Sequence, residues 1–182
     1  MKADKRIVGG LIEVVSLSQQ LGFPAGLIDA DDVEMVIDTL RVLRPEAREL
    51  DALEGMLWMS RGRWDEAIQV LQGLLQEKPN FSYAKGLLAL ALFSRGDPAW
   101  QQVVAELDEL DAGDDTRQLV RSLRARADLR VALETYHRTG NFMLPESCAE
   151  QVREFEQQKA AADNGPVEAA YECVPPSNFL RF

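Results

Sequence analysis

The sequence predicts an all-α chain built from repeated helical hairpins, and three observations predict it. The first is an internal period: Ser60-Arg61-Gly62 recurs as Ser94-Arg95-Gly96, and Arg44-Pro45 recurs as Lys78-Pro79, both 34 residues further on. The second is that apolar residues align at the same offset, Val33 with Ala67, Ile37 with Leu71 and Leu40 with Leu74. The third is composition: Leu, Ala, Glu, Gln and Arg predominate over β-branched residues, and aromatics are 7%, a mixture that favours helix over sheet. Independent features that share one period define a structural unit, and such units bury their apolar faces by stacking on one another.

A first helix is expected over about residues 5–21, followed by a connection at Gly22 to Gly26. A second begins near Asp29 to Asp32 and ends before Pro45. The next unit opens with a helix that carries Gly55, Met56, Leu57, Trp58 and Met59 and stops at Arg61-Gly62, where glycine supplies the left-handed turn. Its partner helix sets Ala67, Val70, Leu71, Leu74 and Leu75 on one stripe and ends at Pro79. Gly55, Trp58, Gly62, Trp64, Ala67, Leu71, Leu74 and Pro79 resemble the tetratricopeptide (TPR) spacing, which implies a TPR-like right-handed stack of about three hairpins. Small Gly55 and Ala67 let the paired helices approach, with Trp64 and Leu71 filling the space between them.

The third unit runs over about Asn80 to Leu110. Asp97-Pro98 forms an N-cap with Pro at the first helical position, and Trp100, Val103, Leu107 and Leu110 repeat the stripe. A capping helix follows from about Thr116 to Arg138, with Val120, Leu123, Ala127 and Val131 on its inner face. The repeat domain is therefore expected over residues 5–139. Residues 140–182 read as a C-terminal extension, a short helix over Glu146 to Ala162 and then a tail containing Gly165-Pro166 and Pro175-Pro176.

Charge and motifs narrow the function. With 30 acidic against 20 basic residues the net charge is −10, which argues against general nucleic-acid binding, because that depends on Lys and Arg displacing counterions. The longest strongly apolar stretch, Gly86 to Phe93, is too short for a membrane span, and the basic start lacks the apolar run of a signal peptide. Cys148 and Cys173 fit no zinc spacing. His137, the only histidine, sits where a cation complements a helix end, and the acidic runs at Asp31 to Glu34 and Asp111 to Asp115 fall at helix starts. Ser122 stands where an EF-hand would need its last Glu. Gly9-Gly10 lacks any phosphate-loop context and implies close helix packing. No catalytic residue, cofactor or metal is expected.

The TPR resemblance implies that the groove-lining positions of the first helices are Ala52, Met56, Met59, Tyr83, Leu90 and Phe93. An apolar groove fits an amphipathic helix or strand, and methionine suits an adaptable surface. Either a protein partner fills it, or a second copy does, or the chain fills it with Phe142 to Leu144 or with Phe179 to Phe182. A tail bearing Tyr171, Phe179, Leu180 and Phe182 is apolar enough to dock there and compete with a partner.

Val8 to Ser16, Asp31 to Glu34, Leu40 to Pro45, Glu49 to Asp51 and Arg61 to Trp64, taken in order, resemble the HrpB/HrpK family of small bacterial type III secretion proteins, and Gly96 to Trp100 resembles a later region of it. The resemblance covers about residues 5–125. It implies a non-enzymatic, protein-binding component of, or helper to, the type III export apparatus. A cytoplasmic chaperone for an export substrate is one role. An accessory piece exported to the periplasm without a cleavable signal is another, and a cell-wall-modifying enzyme is the remote third.

Overall fold

The computed structural model describes residues 29–163 together with Gly10, Leu11 and Val15, which are helical. The rest of the helix expected over residues 5–21, the connection after it, and the tail beyond Asp163 lie outside the described residues. Among the described residues there are seven helices and no strand: α1 (Ala30–Leu43), α2 (Leu50–Ser60), α3 (Trp64–Glu77), α4 (Ser82–Arg95), α5 (Trp100–Asp108), α6 (Asp114–Thr139) and α7 (Glu146–Asp163). The architecture is all-α and made of helical hairpins.

The 34-residue period reappears in the backbone hydrogen bonds that end the helices. Arg44 N–H donates to the Leu40 carbonyl and Lys78 N–H to that of Leu74, each at 2.8 Å, just before Pro45 and Pro79. Arg63 N–H reaches back to Trp58 and Asp97 N–H to Leu92, both at 2.9 Å, around glycines with φ of 70° at Gly62 and 82° at Gly96. A six-residue closure over a left-handed glycine satisfies carbonyls that the helix would otherwise leave unpaired. At the other end, Asp29 caps α1, its carboxylate accepting from Asp31 N–H at 3.0 Å. Asp97 does the same for Ala99 N–H, but the following turn closes through bonds to the third residue back, so the α-helix proper starts at Trp100 rather than at Pro98.

Each helix from α1 to α4 packs on the next, and α2 also touches α4, so the first helices of successive hairpins lie side by side. One core cluster joins Val15, Val33, Ile37 and Leu40 to Leu50, Leu53 and Leu57 of α2. The other joins Ala52 and Met59, from a different side of α2, to Ala67, Ile68, Leu71 and Leu74 of α3 and to Ala84, Leu87, Leu88, Ala91 and Leu92 of α4. Helix α2 is thus apolar on two sides because neighbours cover both, the pattern of an inner rather than a surface helix. At Gly55, α2 approaches α3 closely enough that Leu71 lies against the glycine, where a Cβ would stand 2.9 Å from it. Ile68 and Val104 are buried although neither belongs to the expected stripes, and Val131, expected on an inner face, is 62% exposed. A Cβ on Gly10 would meet nothing within 4 Å, so the close packing expected there is not what places that glycine.

By packing, the described residues up to Gly113 form one compact unit and those from Asp114 onward another. The second is the α6–α7 hairpin. Ser147 Oγ bonds the Asp128 carboxylate at 2.6 Å, Cys148 Sγ donates to the Ala125 carbonyl at 3.2 Å, and Gln151 reaches Ser122 at 3.2 Å.

Ion pairs staple successive helices in the first unit. Arg41 of α1 reaches Asp51 and Glu54 of α2, Arg61 reaches Asp31 and Glu34, and Lys78 reaches Glu49. Burial raises the Glu49 pKa, but the Lys78 hydrogen bond, a backbone hydrogen bond and the Lys78 charge outweigh it and hold the carboxyl below its ordinary 4.5. A carboxylate depressed in the folded state stabilises the fold above the unfolded pKa and loses that contribution as pH falls through the folded value. Lys78→Met is therefore expected to flatten this part of the acid limb below pH 4.5, as read by urea denaturation at a series of pH values. At neutral pH the same change should cost under about 1 kcal/mol, since the pair is partly exposed.

Candidate partner-binding groove

The six groove positions come from α2 and α4, the two first helices that touch. Ala52 and Met59 are 1% and 5% exposed and belong to the central core, so they form floor rather than accessible wall. Met56, Tyr83 and Leu90 are half-buried and rest on that same core. The Tyr83 hydroxyl donates to Met56 Sδ at 2.9 Å, which ties α4 to α2 across the interhelical seam. Phe93, also half-buried, stands edge-on to Trp100 with ring centroids 5.4 Å apart. Tyr83 in turn lies 6.3 Å from Phe81. Met56 and Tyr83 are thus in direct contact, while Leu90 and Phe93 lie two and three turns further along α4.

Local sequence explains this placement. Small residues at Gly55, Ala84, Gly86 and Ala89 are all buried, and they allow the helices to approach until larger neighbours stand at the margin of the core. What that margin offers is a thioether, a phenol, an aromatic ring and a branched alkyl group. Its chemistry is the covering of another apolar surface, with one phenolic hydroxyl already engaged.

Two features of the same unit have no counterpart among the expected sites. Trp58 donates its ring N–H to Glu54 at 3.1 Å and carries the guanidinium groups of Arg63 and Arg61 at 4.4 and 5.4 Å from its centroid. Spacing marked Trp58 as a repeat residue but gave no sign of this cationic cover, because both arginines arrive from the turn after the helix. The second is an open cleft of about 510 Å³ between α3, α4 and α5, lined by Leu75, Pro79, Leu88 and Val103 and edged by the Lys85–Glu106 ion pair at 2.8 Å. That pair keeps the Glu106 carboxyl below its ordinary value, the Lys85 hydrogen bond being the main cause. Asp51 moves the other way: burial raises its pKa, and Arg41 and Arg48 offset only part of the rise.

His137 is exposed in the last turn of α6, with its ring 5.9 Å from that of Tyr136. Among the described residues no group of three His, Cys, Asp or Glu is placed to hold a metal ion, and no helix is long and apolar enough to cross a membrane. Phe142, Met143 and Leu144, one candidate filling for the groove, are 47%, 84% and 55% exposed and so are not packed away. The other candidate, Phe179 to Phe182, lies outside the described residues, as does Cys173.

Residues 1–129 match the family model HrpB1_HrpK, described as bacterial type III secretion protein. No curated protein and no solved structure matches the chain.

Proposed function

Since the chain belongs to the HrpB1_HrpK family of bacterial type III secretion proteins, with 129 of its 182 residues matched, we propose that it serves the export apparatus by binding a protein partner without chemical turnover. The observation that carries this reading is the margin formed by Met56, Tyr83, Leu90 and Phe93, largely apolar side chains that keep part of their surface accessible on adjoining first helices. Water gains nothing from such a surface, whereas an amphipathic segment of a partner laid across it removes apolar area at about 25 cal/mol per Å². Residues 5–139 are proposed as the binding domain and 140–182 as an extension to it.

Affinity capture from the native bacterium tests this, with wild type beside Met56→Glu and Phe93→Glu. Wild type is expected to recover type III components, and each charged variant to lose at least tenfold of that recovery while its circular dichroism stays unchanged. Equal recovery by all three would move the binding surface elsewhere, with the Arg117 to Arg130 face the next to test. Cell fractionation separates the chaperone role in the cytoplasm from the accessory role in the periplasm. A peptidoglycan-hydrolysis assay addresses the enzymatic alternative.

A further inference from the structure

The α6–α7 hairpin carries two apolar stripes, each part-buried at its first residue, Leu129 or Cys148, and uncovered beyond it. On α6, Leu129, Leu133 and Tyr136 fall at intervals of four and three residues, which places them on one face. On α7, Cys148, Val152 and Phe155 follow the same spacing. Leu133 and Tyr136 are 43% and 45% exposed, Val152 and Phe155 are 52% and 67% exposed, and the connecting Phe142, Met143 and Leu144 are exposed as well. The Tyr136 and Phe142 rings meet edge-on at 6.2 Å, so the end of α6 and the turn form one apolar surface. Eight of the ten exposed large apolar side chains among the described residues lie on this hairpin, a concentration that singly scattered surface residues do not give.

Charge points to what covers it. Helix α6 carries six arginines against four acidic residues, while α7 carries five acidic residues against two basic ones. A hairpin with one basic and one acidic helix is self-complementary. A two-fold axis along the hairpin brings α6 of one copy against α7 of the other, so that opposite charges alternate around four helices and the two apolar turns meet at one end. An isologous interface requires this property, that one patch fit itself.

We propose that the exposed face of the α6–α7 hairpin is a homodimer interface, at which two copies close an antiparallel four-helix bundle over Leu133, Tyr136, Met143, Val152 and Phe155. The interface is separate from the groove on α2 and α4, and most of its residues lie beyond the family-matched region 1–129, so it stands or falls independently of the groove reading.

Sedimentation equilibrium of the full chain tests it. Wild type is expected to give twice the 20.3 kDa chain mass in the micromolar range. Phe155→Glu should weaken the dimer at least tenfold with circular dichroism unchanged. Met143→Ser, at the most exposed position of the patch, is the milder variant should Phe155→Glu fail to fold, and it should weaken the dimer in the same direction. A wild type that stays monomeric at the highest soluble concentration overturns the proposal, and so does a dimer that neither variant weakens.

Discussion

Leu71→Ala is expected to cost about 2–5 kcal/mol of folding stability, the range for truncating a filled core position. Leu71 has no exposed surface and sits in the central cluster, where α3 is held between α2 and α4. Its branched end lies against Gly55, so the truncation empties a place where two helices are in close contact. The backbone there is held by long helices on both sides and closes only in part over the void, which is why the cost exceeds simple transfer of the lost carbons. Chemical denaturation with a two-state fit measures it. A loss below about 0.5 kcal/mol would mean that α3 is not packed in this way.

Gly55→Ala is the second large effect, and its sign separates local propensity from tertiary packing. Alanine inside a helix is favoured over glycine by about 1 kcal/mol, so propensity alone predicts a gain. The new Cβ, however, would stand 2.9 Å from both Leu71 Cγ and Cδ2, closer than carbon atoms pack. Cγ is a branch point rather than a mobile chain end, and Leu71 is enclosed, so relief requires α2 and α3 to separate. Overpacking of that kind costs about 1–3 kcal/mol, and the net expectation is destabilisation by about 1 kcal/mol. In the double variant Gly55→Ala with Leu71→Ala, the methyl group enters the space the leucine vacates. The two costs should then fall short of additivity by about 0.5–3 kcal/mol, the coupling range of residues in contact. Strict additivity, or a single Gly55→Ala that stabilises, would show that the interhelical distance is not set at this contact.

The candidate site was only partly legible in the sequence. Repeat spacing singled out positions on the first helices, and Met56 and Tyr83 do meet there. Spacing did not tell floor from wall: Ala52 and Met59 are taken up by the core, whereas Met56 and Phe93 keep accessible surface. The difference depends on how far α4 slides along α2, which a single helix's pattern does not encode. The cover of Trp58 by Arg61 and Arg63 and the α6–α7 apolar face escaped for a related reason. Periodicity names the residues that share a side, and another element must then come to that side or stay away. Val131 shows the distinction, placed in register with buried Val120 and Leu123 yet left 62% exposed.

By itself the sequence determined the all-α class, the 34-residue unit, the ends of most helices and the α3 part of the central core, Ala67, Leu71 and Leu74. These are local matters: glycine permits a left-handed turn, proline ends a run, and an apolar stripe records which side of a helix avoids water. Only the tertiary structure decided that α2 is covered on two sides, that Gly55 faces Leu71 at contact distance, and that one hairpin keeps an apolar face uncovered. Each of these is a property of the distance between elements far apart in the chain. That distance is fixed by packing among all the side chains at a contact rather than by any one segment.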